Sequence, residues 1–134
     1  MAAAGATDET VRVLWSGPVS VANTVHNALT ADLADPGNAG AIPVTDSGKC
    51  DIVSAGVETR TLAAPTYIGQ LLLVSFKTKV GNVTITCATL INQTGNNTIL
   101  LDTAADSILL VGIASGANKR WRVVMNDGCV LSTI

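Results

Sequence analysis

Short apolar runs fill the stretch from Glu58 to Gly128, and they constrain the fold more than any other feature of the chain. Each run has the length of a strand, and Gly, Asn, Asp or Pro residues separate it from the next. These residues favour turns because they tolerate backbone conformations or make local hydrogen bonds that strands lack. Strands are predicted at Ala41–Val44, Cys50–Ser54, Glu58–Leu62, Gln70–Phe76, Asn82–Cys87, Thr98–Leu101, Ser107–Ile113 and Arg120–Met125.

The connections between these runs are short, which is typical of folds built from hairpins. We therefore expect an all-β fold, in which residues 46–134 form a compact β-sandwich or barrel-like module of short antiparallel strands. Residues 1–45 are less regular and predict an N-terminal arm with extended segments. Apolar residues recur at four-residue spacing within this arm and predict a short helix over Asn23–Leu33.

The chain carries little charge for its apolar content. Charged residues make up 13% of it and apolar residues 48%, so a solitary copy would have difficulty covering its surface with polar groups. This balance favours contact with another subunit. A net charge of −2 gives no basic face for nucleic acid, and no apolar run approaches the roughly 18 residues of a membrane span.

Two predicted strands carry apolar residues on both faces. Ile108–Ile113 has no polar side, and Leu71 and Leu73 alternate with Leu72 and Val74. A strand of this kind is covered on both faces, either within a core or at a contact between subunits. The candidate subunit-interface residues are Leu71, Leu73, Leu109, Val111 and Ile113.

A basic cluster alternates with apolar residues along the predicted strand Arg120–Met125. Trp121, Val123 and Met125 are expected to face one way, and Arg120 and Arg122 the other. The two arginines are either the solvated face of an edge strand or cations that pair with acidic groups of a partner protein, for which Arg is well suited.

No catalytic constellation is apparent, and we expect neither an enzyme nor a cofactor. A small hydrolase would require the single histidine, His26, to approach a carboxylate or a cysteine. The cysteines lack the paired spacing of a zinc site, and we expect them to be buried and reduced. They are Cys50, Cys87 and Cys129. Asp102 and Asp106 flank a turn, where carboxylates accept backbone N–H groups more readily than they hold a metal.

A resemblance to a known class of proteins covers residues 58–128. The segments that carry it are Glu58–Gln70, Ile91–Thr98 and Arg120–Gly128, with Pro65, Gly69, Gln70, Trp121 and Gly128 in matching order. In this order they resemble small head proteins of tailed bacteriophages, among them trimeric knobs and capsid decoration (cement) proteins.

The resemblance implies a homotrimer on the outer surface of a phage head, assembled in the host cytoplasm, that stabilises contacts between major capsid subunits. The partners would be the chain itself and the major capsid protein. The N-terminal arm would then contact the shell, through the candidate residues Arg12, Leu14, Trp15, Val19 and Val21. The alternative is a head-fibre or tail knob that binds a host surface through a tip at Asn92–Asn97 or Ser115–Asn118.

Overall fold

A computed structural model describes Leu29 and residues 31–134, and these residues form strands and no helix. The all-β prediction is therefore confirmed. The strands are β1 (Ala31–Leu33), β2 (Gly40–Ala41), β3 (Gly48–Val53), β4 (Glu58–Leu62), β5 (Leu71–Thr78), β6 (Val83–Cys87), β7 (Thr98–Leu101), β8 (Ser107–Ser115), β9 (Asn118–Asp127) and β10 (Val130–Ser132).

The strands form two five-stranded sheets. The first has the order β1-β3-β5-β8-β9, and the second has the order β10-β7-β6-β4-β2. From β1 to β6 the chain alternates between the two sheets. Each strand from β3 to β6 therefore pairs in parallel with the strand that lies two positions earlier in the chain. The later pairs are antiparallel.

The expectation of purely antiparallel strands was therefore wrong. Its premise was that a short connection joins neighbours in one sheet, whereas most of the short connections here pass from one sheet to the other. A chain that crosses to the second sheet and returns runs in its original direction, and parallel pairing results.

One face of nearly every strand is buried between the sheets. In β6, for example, Val83, Ile85 and Cys87 are buried while the intervening threonines are only partly covered, as the alternation predicts. The core also contains Leu33, Ile42, Cys50, Ile52, Leu62, Leu72, Val74, Phe76, Ile91, Ile99, Leu101, Ile108, Leu110, Trp121 and Cys129. Both sheets contribute to this single core.

Two boundaries near the N-terminus differ from the sequence prediction. The predicted helix Asn23–Leu33 is wrong at its end, because Ala31–Leu33 pairs with β3 as a strand, and the rest lies outside the described residues apart from Leu29. The predicted strand Ala41–Val44 retains only its first residue, since β2 is Gly40–Ala41. The division into arm and module at residue 45 stays a prediction.

A β-bulge in β9 reverses the direction predicted for Met125. Leu110 pairs with Val123 while Leu109 pairs with Met125, so Val124 is an extra residue in the strand. Trp121 and Val123 face the core as expected, but Met125 does not, and its side chain is 50% exposed. The prediction assumed that side chains alternate without interruption along β9, whereas the pairing register shifts before Met125.

Trp121 joins the two sheets at one end of the core. Its ring is fully buried, and its Nε1–H donates to the carbonyl of Ala63 at 2.8 Å, in the connection that follows β4. Gly112 lies opposite Trp121 on β8 and leaves room for this connection, since a Cβ there would approach Tyr67 O to 2.6 Å and Pro65 Cβ to 2.9 Å.

A fully buried arginine occupies an inward-facing position of β4. The Nε of Arg60 lies 2.8 Å from Asp35 Oδ1, and one of its terminal nitrogens lies 2.8 Å from Glu58 Oε2. Asp35 also accepts the backbone N–H of Val53 at 2.9 Å, at the end of β3. Because β3 and β4 belong to different sheets, this ion-pair cluster ties the sheets together.

Trp121→Ala is expected to reduce the free energy of unfolding by about 3–5 kcal/mol, because it empties a large volume and leaves the Ala63 carbonyl without its donor. Urea unfolding followed by circular dichroism measures the loss. Val124→Ala, at an exposed neighbour on the same strand, serves as the control and should change stability little. A Trp121→Ala protein as stable as this control would contradict the assignment.

Arg60→Met is expected to cost about 3–5 kcal/mol at neutral pH, because the largely buried Asp35 carboxylate loses its counter-charge. Burial raises the pKa of Asp35, but hydrogen bonds from Arg60, Val53 and Gly37 outweigh it and hold the pKa below its ordinary 3.8. A backbone N–H and Arg60 likewise hold the pKa of Glu58 below its ordinary 4.5.

The sign of the pH dependence follows from these lowered values. The stabilisation is complete above the ordinary carboxyl pKa and is lost as the pH falls through the lower folded-state pKa. Wild-type stability should therefore drop in acid, and the deficit of Arg60→Met should shrink there. Urea titrations from pH 7 to pH 2 test this, with exposed Lys77→Met as the matched control. A constant deficit across that range would contradict it.

Candidate functional site

The outer face of the first sheet, turned away from the core, is apolar along its centre. Leu71 pairs with Val111, and Leu73 pairs with Leu109, which in turn pairs with Met125 across the bulge. Ile113 is the next residue of β8 after Val111 that faces outward, and it completes a contiguous patch. All of these side chains are partly or largely exposed, whereas their sequence neighbours Leu72 and Leu110 are buried.

The outer face of the second sheet is different in character. Threonines occupy its central positions, with Thr59 paired to Thr84 and Thr61 paired to Thr86 on the parallel strands β4 and β6. Their hydroxyls can hydrogen-bond to water, and the apolar pair Leu100–Val130 on this face lies at the β7–β10 edge rather than at the centre. The apolar patch distinguishes the first sheet and marks its outer face as the candidate functional site.

Charged residues occupy opposite edges of this outer face. Arg120 and Arg122 on β9 pair with Ile113 and Val111, and we name these two arginines the basic corner. Across the sheet, Lys49 on β3 lies 3.5 Å from Asp32 on β1 and 2.7 Å from Asp51. We name Asp32, Lys49 and Asp51 the acidic corner, because two carboxylates share one ammonium group.

The carboxylate of Asp51 is the better anchored of the two. The side chain of Lys49 lowers its pKa, and a hydrogen bond of 2.6 Å from the Ser75 hydroxyl lowers it further. Asp51 is therefore ionised at neutral pH.

A depression of about 650 Å³ opens next to the acidic corner. Its walls combine apolar side chains with polar ones, which suits an amphipathic side chain better than a wholly apolar one. The lining residues include Asp51, Leu73, Ser75, Lys77, Ser107 and Met125.

The candidate subunit-interface residues of the sequence analysis all lie on this outer face, together with Arg120 and Arg122. Whether the face forms an interface stays a prediction. The candidate capsid-contact residues Arg12, Leu14, Trp15, Val19 and Val21 lie outside the described residues, as does His26.

The thiols are poorly suited to act as nucleophiles. Burial raises the pKa of Cys87 to about 12, and burial with nearby carboxylates does the same for Cys50 and Cys129. Among the described residues, no group of three or more His, Cys, Asp or Glu is placed to hold a metal ion. The part of the chain that the structure describes also contains no helix long and apolar enough to cross a membrane.

Asp106 has the role that the turn chemistry predicts. Its carboxylate accepts the backbone N–H groups of Asp102 at 2.9 Å and of Thr103 at 2.8 Å. Gly128, with φ of +90°, passes so close to this carboxylate that a Cβ would approach it to 2.3 Å. This pair is structural.

Comparison of the chain with protein-family models and with curated proteins finds no match.

The residues that carried the resemblance to phage head proteins have structural roles here. Gln70 is buried, and its Nε2 donates to the carbonyls of Val44 at 2.9 Å and Asp46 at 3.1 Å. Gly69, with φ of +86°, allows the turn in which its N–H reaches the carbonyl of Gly112 at 2.7 Å. The hydrogen bonds of Gln70 and Gly69 thus stabilise the loops at the end of the core where Trp121 lies.

Sequence reasoning missed two features. The Arg60–Asp35–Glu58 cluster was overlooked, although Arg60 occupies an inward position in the alternation of β4, which was the available signal. Met125 was expected to face the same way as Trp121 and Val123, and only the cross-strand register reveals that it extends the outer patch.

Leu109→Glu is expected to leave the fold intact but to prevent self-association, because it places a charge at the centre of the outer patch. Leu110→Glu, the matched control at the next position, should prevent folding because that side chain is fully buried. Circular dichroism reports the fold and light scattering the mass. If Leu109→Glu had an unchanged assembly mass, the outer face would not be the contact.

Proposed function

We propose that this chain is a structural virion protein, a capsid decoration (cement) protein that binds the outer surface of a phage head as a homotrimer. The proposal combines the resemblance over residues 58–128 with the apolar outer face of the first sheet. The single observation that carries its self-assembling part is the contiguous patch formed by Leu71, Leu73, Leu109, Val111 and Ile113. In a lone subunit these side chains remain in contact with water, and self-association would remove them from it.

The architecture suits such a role. Two sheets around one core, fixed by buried Trp121 and the Arg60 ion pairs, form a rigid frame that needs no active site. A protein bound across a boundary between shell subunits stabilises that boundary, because its binding free energy must be lost before the subunits separate. Trimerisation lets each contact with a locally threefold lattice occur three times.

The alternative function is a trimeric knob of a head fibre or tail that binds a host surface. Its expected tip, Ser115–Asn118, is the exposed turn between β8 and β9. The other predicted tip, Asn92–Asn97, is held by its own side chains, since Asn92 Oδ1 accepts the N–H groups of Gly95 and Asn96. The two functions differ in what the purified protein binds.

Purified protein should bind phage shells that lack it and raise the temperature at which they rupture. Deleting residues 1–21 should abolish this binding and leave a folded trimer, because the arm is the proposed shell contact. Co-sedimentation with shells measures binding, and light scattering measures the trimer.

Two outcomes would count against the proposal. A truncated protein that still decorates shells would refute the role of the arm. Binding to intact host cells but not to shells would favour the knob. Lys79→Ala, in full-length protein, controls for general loss of surface charge, because Lys79 is exposed and belongs to neither corner of the outer face.

A further inference from the structure

We propose that copies of this chain join by placing the basic corner of one outer face into the depression at the acidic corner of the next. The inference rests on the proposed function, since it specifies how the assembling copies contact one another.

The two arginines of the basic corner have no ion-pair partner within the described part of the chain. In the described part of the chain, ion pairs are formed by Lys49 and Arg60, and none involves Arg120 or Arg122. Among the described residues, the Nε of Arg120 has no hydrogen-bond acceptor, but this atom is buried and lies out of reach of a second molecule. The contact would therefore use the terminal guanidinium nitrogens of the two arginines, which can bind a carboxylate of another copy.

The depression has the chemistry that an arginine side chain requires. Leu73 and Met125 offer apolar walls for its methylene stem. The oxygens of Asp51 already accept from Lys49 and the Ser75 hydroxyl, and their remaining lone pairs can accept from a planar guanidinium fork. The hydroxyls of Ser75 and Ser107 add acceptors beside that carboxylate. Lys77 also lines the depression and its charge acts on Asp51, but its side chain is exposed at the end of β5 and leaves the carboxylate accessible.

The occupant is a second copy because one outer face carries both halves of the contact. Arg120 and Arg122 lie on the β9 edge, and Asp32 and Asp51 lie on the β1 and β3 edge of the same sheet. The apolar patch fills the space between the two corners. An interface that pairs the basic corner with the acidic corner of a neighbour brings the adjoining part of each patch into contact, and its charges select the orientation.

A charge exchange tests the contact. Arg122→Asp and Asp51→Arg are made singly and together, and sedimentation equilibrium measures the dissociation constant of the assembly. Each single change should raise that constant by at least about tenfold, and the combination should return it to within about threefold of wild type. Wild-type association should weaken as salt is raised.

Control variants separate this effect from general changes in charge. Lys79→Asp removes an exposed cation away from the outer face, and Thr61→Arg adds one to the other sheet. Neither should alter association. Circular dichroism verifies folding, and Asp51→Asn, a milder change, should weaken association in the same direction if Asp51→Arg does not fold.

The outcomes distinguish this inference from the proposed function. Unchanged association in both single variants, or loss without recovery in the combination, overturns the corner pairing and leaves decoration intact. A wild-type protein that stays monomeric but still binds shells overturns the pairing and the trimer. A protein that neither associates nor binds shells overturns both proposals.

Discussion

Burial of one strand face between two sheets is the interaction on which the rest of this structure depends. The chain winds between the sheets from β1 to β6, so every crossing adds one buried face to the same core. Nothing in this arrangement requires a polar residue inside, yet Arg60 lies there with Asp35 and Glu58. A buried charge is tolerated only when it is fully paired, and the pairing fixes where the β1–β2 connection meets β3 and β4.

The period-2 pattern could predict the all-β class and most strands, because each strand reports its own alternation. It could not predict how strands pair, since β4 reads the same whether β6 beside it runs parallel or antiparallel. The direction of Met125 was lost for a related reason, because a bulge is a property of two strands and not of one. Ala31–Leu33 shows a third limit, since pairing with β3 overrides a weak helical spacing.

The candidate site was predictable in its composition but not in its layout. Apolar residues on both faces of β5 and β8 indicated a second covered surface, and the structure places them side by side. The edge positions of the charges required the strand order. By contrast, Pro65, Gly69, Gln70 and Trp121 are explained by packing at one end of the core, so these four residues bear on the fold.

The burial of the three cysteines has a consequence for their reactivity. Because burial holds the pKa of each thiol near 12, almost no thiolate exists at neutral pH to exchange with glutathione or to react with oxidants. Nor does any disulfide hold the described fold together, since all three thiols are free. The described fold therefore depends on no disulfide bond, and burial shields its three thiols from exchange with other thiols.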